Sequence, residues 1–183
     1  MYGSEMLCGL THDLRTIFLR QPRPDQAELA WLLLRDPSLH PDFMLGYEVP
    51  SLEEYIERVH RAKENEKGIL WWICVDGQFA GVVGAYRLGV NEVEGHKTGR
   101  LYYAVSPGFR GQGVATASAR RAIKYIFETN LATLLLAEVL ASNRSSRHIL
   151  ERLGFELSPI IPERYEEGGR SYETCQYLLE PTR

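Results

Sequence analysis

One segment of the chain has the residue types and spacing needed to hold an anion. Residues 105–115 read VSPGFRGQGVA and connect a short aromatic and aliphatic run to a helical apolar pattern. The first amide N–H groups of a helix lack partners within the helix, and the helix dipole is positive at that end. Because Gly111 and Gly113 have no Cβ, the backbone there can approach an anion closely. The segment therefore predicts an anion site at a helix entrance.

The glycine spacing argues against two common phosphate-binding loops. Gly108 and Gly113 match G-x-x-x-x-G-K-[ST], but the lysine and hydroxyl positions of that motif hold Val114 and Ala115. A dinucleotide-binding loop would need a third glycine, and the chain has a threonine there. The pattern that remains is R-x-x-G-x-A, starting at Arg110. A glycine-rich turn that binds nothing is the alternative.

A second pattern follows in the next part of the chain. The apolar run 134–140 contains a single carboxylate, Glu138, and leads to Asn143-Arg-Ser-Ser146 at the start of a helical stretch. That stretch closes with Leu-Gly154-Phe, and a glycine just past the last turn is a helix stop signal.

With these two motifs in this order, the chain resembles the GNAT superfamily of acyl-CoA N-acyltransferases, closest to its ribosomal-protein N-terminal acetyltransferase branch. In that family the [QR]-x-x-G-x-[GA] loop binds the pyrophosphate of coenzyme A, and a strand, asparagine, helix and L-G-F segment follows. The resemblance covers residues 71–183 and is only generic before them. It implies an α/β fold with a mixed, mostly antiparallel central sheet and helices on both faces. It also implies acetyl-CoA as co-substrate.

The resemblance assigns coenzyme contacts to the strand before the loop, to the loop with its first helical turn, and to the second motif. The residues concerned are Tyr103, Val105, Arg110, Gly111, Gln112, Gly113, Val114, Ala115, Thr116, Asn143, Arg144 and Ser146. Backbone N–H groups around Val105 are expected to stabilise the charge that develops on the thioester oxygen.

Acetyl transfer to an amine needs a base, because amines are largely protonated at neutral pH. Glu138 matches the base glutamate of the ribosomal-protein alanine acetyltransferases, and its apolar strand is expected to disfavour the charged form. A structural ion pair with a nearby arginine is the alternative. For protonation of the departing thiolate, the resemblance implies Ser146 together with Glu163 or Glu166. The alternative for Ser146 is a simple helix N-cap.

Two departures from the family pattern leave the acceptor open. Some relatives protonate the thiolate with a tyrosine seven residues after the asparagine, and that position here is Leu150. The ribosomal-type branch often has a glutamate shortly after the glycine loop, where this chain reads TAS at 116–118.

Composition sets the class of protein. A chain of 183 residues with 44% hydrophobic residues and no linker-like stretch is expected to form one domain, residues 1–183. A net charge of −3 argues against a nucleic-acid partner, and a leader or membrane-spanning segment is not predicted. Three cysteines without a close pair are typical of a protein of the reducing cytoplasm. Neither they nor the five histidines have metal-ligand spacing, so no metal is expected. A homodimer is a further hypothesis from the resemblance.

The hydrophobic periodicity predicts an alternating order of elements. Strands are expected at 14–19, 69–75, 79–88, 100–105, 133–140, 155–161 and 171–179, and helices at 25–35, 51–65, from the glycine loop to 129, and at 144–153. Ser51 and Glu54 form a capping box, and Asp76-Gly77 predicts a hairpin turn. The polar stretch 87–99 is expected to be a loop that grips an acceptor. Four aromatic residues could line an acceptor pocket or belong to the core, namely Trp71, Trp72, Tyr102 and Tyr103.

Together these features predict an acetyl-CoA-dependent N-acetyltransferase acting on a primary amine, either a protein N-terminus or a small molecule. The amine would attack the thioester directly in a ternary complex. One alternative is an enzyme that uses another acyl-CoA. The other is a coenzyme A-binding regulatory module without turnover, in which Glu138 and Ser146 have no role.

Overall fold

The computed structural model of the protein describes residues 5–36, 49–62, 67–91, 93–158, 165–167 and 170–181. In chain order the elements are β1 (Glu5–Leu10), β2 (Thr16–Arg20), α1 (Ala27–Leu34), α2 (Leu52–Ala62), β3 (Gly68–Val75), β4 (Gln78–Val90), β5 (Thr98–Val105), α3 (Val114–Glu128), β6 (Leu134–Leu140), α4 (Arg144–Arg152), β7 (Glu156–Leu157), β8 (Tyr165–Glu167), β9 (Arg170–Tyr172) and β10 (Thr174–Leu179). Within these ranges, none of the helices is long and apolar enough to cross a membrane.

Eight strands form one sheet in the order β1-β2-β3-β4-β5-β6-β10-β7, and β8 and β9 pair separately. Neighbouring strands of the large sheet are antiparallel except β5 and β6, which are parallel. The predicted mixed, mostly antiparallel sheet is therefore confirmed.

Helices cover both faces of this sheet. Successive side chains of a strand point to opposite faces, and β3 presents apolar side chains to each of them. Trp71 packs on the α3 side, where its ring meets Tyr125 edge to face at 5.3 Å between centroids. Trp72 packs with α1 and α2 on the other side and contacts Phe79 in the same geometry at 5.8 Å. Both tryptophan side chains are 2% exposed, so the core interpretation is confirmed for these two residues.

The predicted hairpin between β3 and β4 is also confirmed. Asp76 and Gly77 have φ angles of 48° and 82°, as a turn with two left-handed residues requires. The Asp76 carboxylate accepts hydrogen bonds from the Thr16 amide at 2.8 Å and from Arg15 Nε at 3.1 Å. These contacts connect the turn to β2.

Several predicted boundaries differ from the structure. The first strand, β1, was missed, and the loop predicted at 87–99 is shorter because β4 extends to Val90 and β5 begins at Thr98. Leu88 is 5% exposed in that strand, and the pairing register shifts between Tyr86 and Val90. The irregular pairing, together with the exposure of Arg87 and Gly89, explains why the segment resembles a loop in sequence. The strand predicted at 155–161 is described only as Glu156–Leu157, since residues 159–164 lie outside the described ranges.

The capping box at α2 is confirmed and gives a stability prediction. The Ser51 hydroxyl accepts from the Glu54 amide at 3.2 Å, and the Glu54 carboxylate accepts from the Ser51 amide at 2.9 Å. We expect Ser51→Ala to lower the free energy of unfolding by about 0.5–2 kcal/mol in denaturant titrations. Ser51→Asp keeps the acceptor and should stay near the wild-type value. Equal losses in both variants would contradict a capping role.

Candidate active site

The parallel strands β5 and β6 separate partway along their length. They pair from Thr98 opposite Leu134 to Arg100 opposite Leu136, whereas β5 continues to Val105 and β6 to Leu140. Beyond Arg100 the described ladder ends, so the two strands diverge. The gap between them opens the sheet at the strand ends that precede the glycine loop and Asn143.

A cleft of about 1450 Å³ occupies this gap and continues across the glycine loop. Its walls come from the separated parts of β5 and β6, from the start of α3, from one side of α4, and from α1 and α2. The cleft thus joins both sequence motifs in a single cavity. A cavity of this size can enclose a large ligand.

The glycine loop has the geometry expected of an anion site. Gly111 and Gly113 have φ angles of 74° and 82°, which side-chain-bearing residues rarely adopt. Within the described chain, no side chain caps α3, whose first internal hydrogen bond runs from the Ala117 amide to the Gly113 carbonyl at 3.0 Å. The amides of the first turn therefore remain available to a ligand in the cleft. These features fit the pyrophosphate of coenzyme A.

The Arg110 side chain binds the protein backbone, whereas its motif position implies a contact with the coenzyme. Its Nε donates to the Val105 carbonyl oxygen at 2.9 Å, so it connects the loop to the end of β5. Arg110 still lines the cleft. The guanidinium consequently fixes the loop and borders the anion site at once.

The second motif places Ser146 opposite β5. Asn143 is the N-cap of α4, and its side-chain oxygen accepts from the Ser146 amide at 2.9 Å. Ser146 is therefore in the first turn of the helix, and the alternative that it is the N-cap is wrong. Its hydroxyl lies 2.8 Å from the Tyr103 hydroxyl, which comes from the separated part of β5.

Burial raises the pKa of Tyr103 to about 12, although the hydrogen bond with Ser146 acts in the opposite direction. A phenol with this pKa keeps its proton throughout the neutral range. Tyr103 is thus a hydrogen-bond donor in the cleft and is not a source of negative charge.

Glu138 lines the cleft, but the expectation that its apolar strand would bury the carboxylate is wrong. Its side chain is 44% exposed, whereas the other residues of β6 are buried. The reason is that β6 no longer pairs with β5 at this position, so the gap admits solvent. Oε2 lies 3.4 Å from Arg100 Nη1, which is the ion pair considered as the alternative role.

Most residues predicted for the site meet in this cleft. Those that line it are Tyr103, Val105, Arg110, Gly111, Gly113, Val114, Ala115, Thr116, Glu138, Asn143 and Ser146. Gln112 and Arg144 do not line it, and the Gln112 amide group donates to the Gly108 carbonyl at 3.0 Å. Glu163 and the side chain of Glu166 lie outside the described residues.

Other cleft residues were missed by the sequence patterns. His12 follows the unpredicted strand β1, and its amide donates to the Gln112 carbonyl at 3.3 Å. A Cβ placed on Gly113 would lie 3.2 Å from His12 Nε2, so this exposed histidine lies beside the loop. Further polar and aromatic residues of the cleft that were not predicted include Tyr55, Arg58, Tyr86, Arg100, His148 and Arg152. Helical spacing places His148 and Arg152 on one side of α4, which is a signal that sequence analysis could have used.

Known proteins share both the sequence pattern and the fold. The model of the acetyltransferase (GNAT) domain matches residues 16–156. A Bacillus subtilis (strain 168) protein named "Putative ribosomal N-acetyltransferase YdaF" is 26% identical over 145 residues, which cover 76% of this chain and 76% of that protein.

Solved structures agree with this match. RimL, a ribosomal L7/L12 alpha-N-protein acetyltransferase in complex with coenzyme A, superposes with a TM-score of 0.79 at 16% identity and covers 96% of this chain and 98% of its own. Spermidine N-acetyltransferase from Vibrio cholerae, in complex with CoA and spermine, has a TM-score of 0.77 at 16% identity and covers 90% and 95%. Because the family model matches most of the chain, and the sheet, loop and cleft have the arrangement described above, the protein belongs to the GNAT acetyltransferase family.

Proposed function

We propose that the protein transfers the acetyl group of acetyl-CoA to a primary amine by direct attack in a ternary complex. The observation that carries this proposal is the single cleft that contains the uncapped start of α3, Glu138 and Ser146. One cavity would then hold the coenzyme phosphates, a proton acceptor and a hydroxyl donor. Bringing amine and thioester together in this cavity would supply much of the rate acceleration.

Four groups in the cleft have a chemical role in this proposal. Glu138 accepts the amine proton, directly or through a water molecule. Amide N–H groups at the end of β5, around Val105, stabilise the charge on the thioester oxygen during attack. The Ser146 hydroxyl donates to the departing sulfur, and the first turn of α3 binds the pyrophosphate.

The acceptor is either a protein N-terminus or a small-molecule amine. The relatives support both classes, since their names include a ribosomal-protein acetyltransferase and a spermidine acetyltransferase. The wall of the cleft also contains Tyr55, Arg58, Tyr86 and Tyr102. These aromatic and cationic groups would contact the acceptor.

A panel of amines tests the proposal. Purified protein is incubated with acetyl-CoA and peptides with different N-termini, polyamines, amino acids or aminoglycosides, and free thiol is measured. We expect amine-dependent thiol release with one class. Tight acetyl-CoA binding without release for any amine would favour the regulatory-module alternative, and preference for a longer acyl-CoA would favour a different acyltransferase.

A further inference from the structure

Two tyrosines connect α4 to the central sheet through their hydroxyl groups. Tyr177 of β10 accepts from Arg147 Nε at 3.2 Å and donates to Glu151 Oε1 at 3.1 Å. It is 1% exposed and does not line the cleft. Tyr103 of β5 lies 2.8 Å from Ser146 Oγ and 3.3 Å from the Ser146 carbonyl oxygen, and both residues line the cleft. The contact between Tyr103 and Ser146 therefore faces the cleft, whereas the contacts of Tyr177 with α4 are internal.

The direction of the hydrogen bond between the two hydroxyls decides what Ser146 can do. A serine hydroxyl has one proton and can accept from another donor at the same time. If Tyr103 donates to Ser146 Oγ, the Ser146 proton is available to a third group. In the reverse arrangement the Tyr103 proton goes to the Ser146 carbonyl oxygen at 3.3 Å, and the Ser146 proton is used on Tyr103. Ser146 Oγ, at 2.8 Å, is the acceptor within the usual O–H···O range, whereas the carbonyl oxygen lies beyond that range. The Asn143 side chain holds the Ser146 amide, so the hydroxyl starts from a fixed backbone position.

We propose that Tyr103 is a positioning residue that donates to Ser146 Oγ and thereby directs the Ser146 proton toward the coenzyme sulfur. This inference rests on the proposed function, in which Ser146 serves the departing thiolate. When the carbon–sulfur bond breaks, its electron pair goes to sulfur, and the Ser146 O–H donates a hydrogen bond to that anion. A hydroxyl that accepts a hydrogen bond becomes a stronger donor itself, so donation from Tyr103 strengthens the hydrogen bond from Ser146 to sulfur.

Neither hydroxyl loses its proton in this step. A serine hydroxyl is a far weaker acid than a thiol, and burial raises the pKa of Tyr103 to about 12. The amine proton goes to Glu138 or to water, and the sulfur is protonated from solvent after the acetyl group has moved. The pair therefore acts by stabilising the thiolate electrostatically.

The acidity of bound coenzyme A tests the inference without an acceptor. The thiolate form of the bound thiol is followed by its ultraviolet absorbance as a function of pH in saturated complexes. We expect Tyr103→Phe and Ser146→Ala each to raise the pKa of the bound thiol by about half a unit or more relative to wild type. Tyr177→Phe is the matched control, because it removes a hydroxyl that connects α4 outside the cleft, and it should leave this pKa unchanged.

Turnover gives a second readout. We expect Tyr103→Phe to lower kcat about ten-fold with little change in KM for acetyl-CoA, and the double variant with Ser146→Ala to be no slower than Ser146→Ala alone. Failure of wild-type protein to bind coenzyme A would refute the proposed function itself. Binding with the same thiol pKa in wild type and Tyr103→Phe, or equal effects of Tyr103→Phe and Tyr177→Phe, would overturn only the role of Tyr103.

Discussion

Glu138→Gln is expected to lower kcat by roughly 10²- to 10⁴-fold while the affinity for acetyl-CoA is retained, which is the range for loss of a general base. The glutamine carboxamide keeps the volume of the side chain and can still accept from Arg100, but it cannot take the amine proton. The acidic limb of the pH–rate profile should disappear in this variant. Steady-state kinetics over a range of pH values measure both effects.

Glu128→Gln provides the matched control for this experiment. Glu128 forms an exposed ion pair with Lys124 at 3.6 Å, outside the cleft, so its replacement should leave kcat and the pH profile unchanged. A purely structural Glu138 would give the opposite pattern, with a lower melting temperature and a normal pH profile. An acidic limb that persists in Glu138→Gln would move the base to Glu163, Glu166 or a chain of water molecules.

Gly113→Val should raise the Kd for acetyl-CoA by about ten-fold or more, and a ten-fold change corresponds to a loss of about 1.4 kcal/mol of binding free energy. Gly113 has a φ of 82°, and a Cβ at this position would lie 3.2 Å from His12 Nε2, beside the uncapped start of α3. A branched side chain would thus occupy space at the predicted pyrophosphate site. Calorimetric titration with acetyl-CoA measures the change.

Gly77→Val separates lost affinity from backbone strain. Gly77 also has a φ of 82°, but nothing lies within 4 Å of a Cβ added there. It belongs to the β3–β4 turn, which is far from the glycine loop in sequence. Both variants should lose stability from the same left-handed conformation, whereas only Gly113→Val should lose affinity. If a folded Gly113→Val protein bound acetyl-CoA as tightly as Gly77→Val, the loop would not be the pyrophosphate site.

Features set by local chemistry could be predicted from the sequence. The turn at Asp76-Gly77, the capping box at Ser51 and the entrance of α3 at the glycine loop all depend on residues within a few positions of one another. Each requires a particular residue type, such as glycine at positive φ or a hydroxyl at an N-cap. The structure confirms all three for that reason.

Features set by distant contacts could not be predicted in this way. The separation of β5 from β6 depends on pairing between residues more than 30 positions apart, such as Arg100 and Leu136. The exposure of Glu138 follows from that separation, and hydrophobic periodicity alone suggests the opposite. The hydrogen bond between Tyr103 and Ser146 joins two elements 43 residues apart. Neither residue type nor spacing specifies that contact.

Direct transfer of the acetyl group is the central claim, and a single-turnover experiment with isotope-labelled acetyl-CoA tests it most directly. Protein in excess is mixed with labelled acetyl-CoA and the amine chosen from the panel, and protein, amine and free thiol are analysed by mass spectrometry and thiol titration. We expect one acetylated amine for each thiol released and no label on the protein. Labelled protein formed before the acetylated amine, or thiol released without acetylated amine, would contradict direct attack in this cleft.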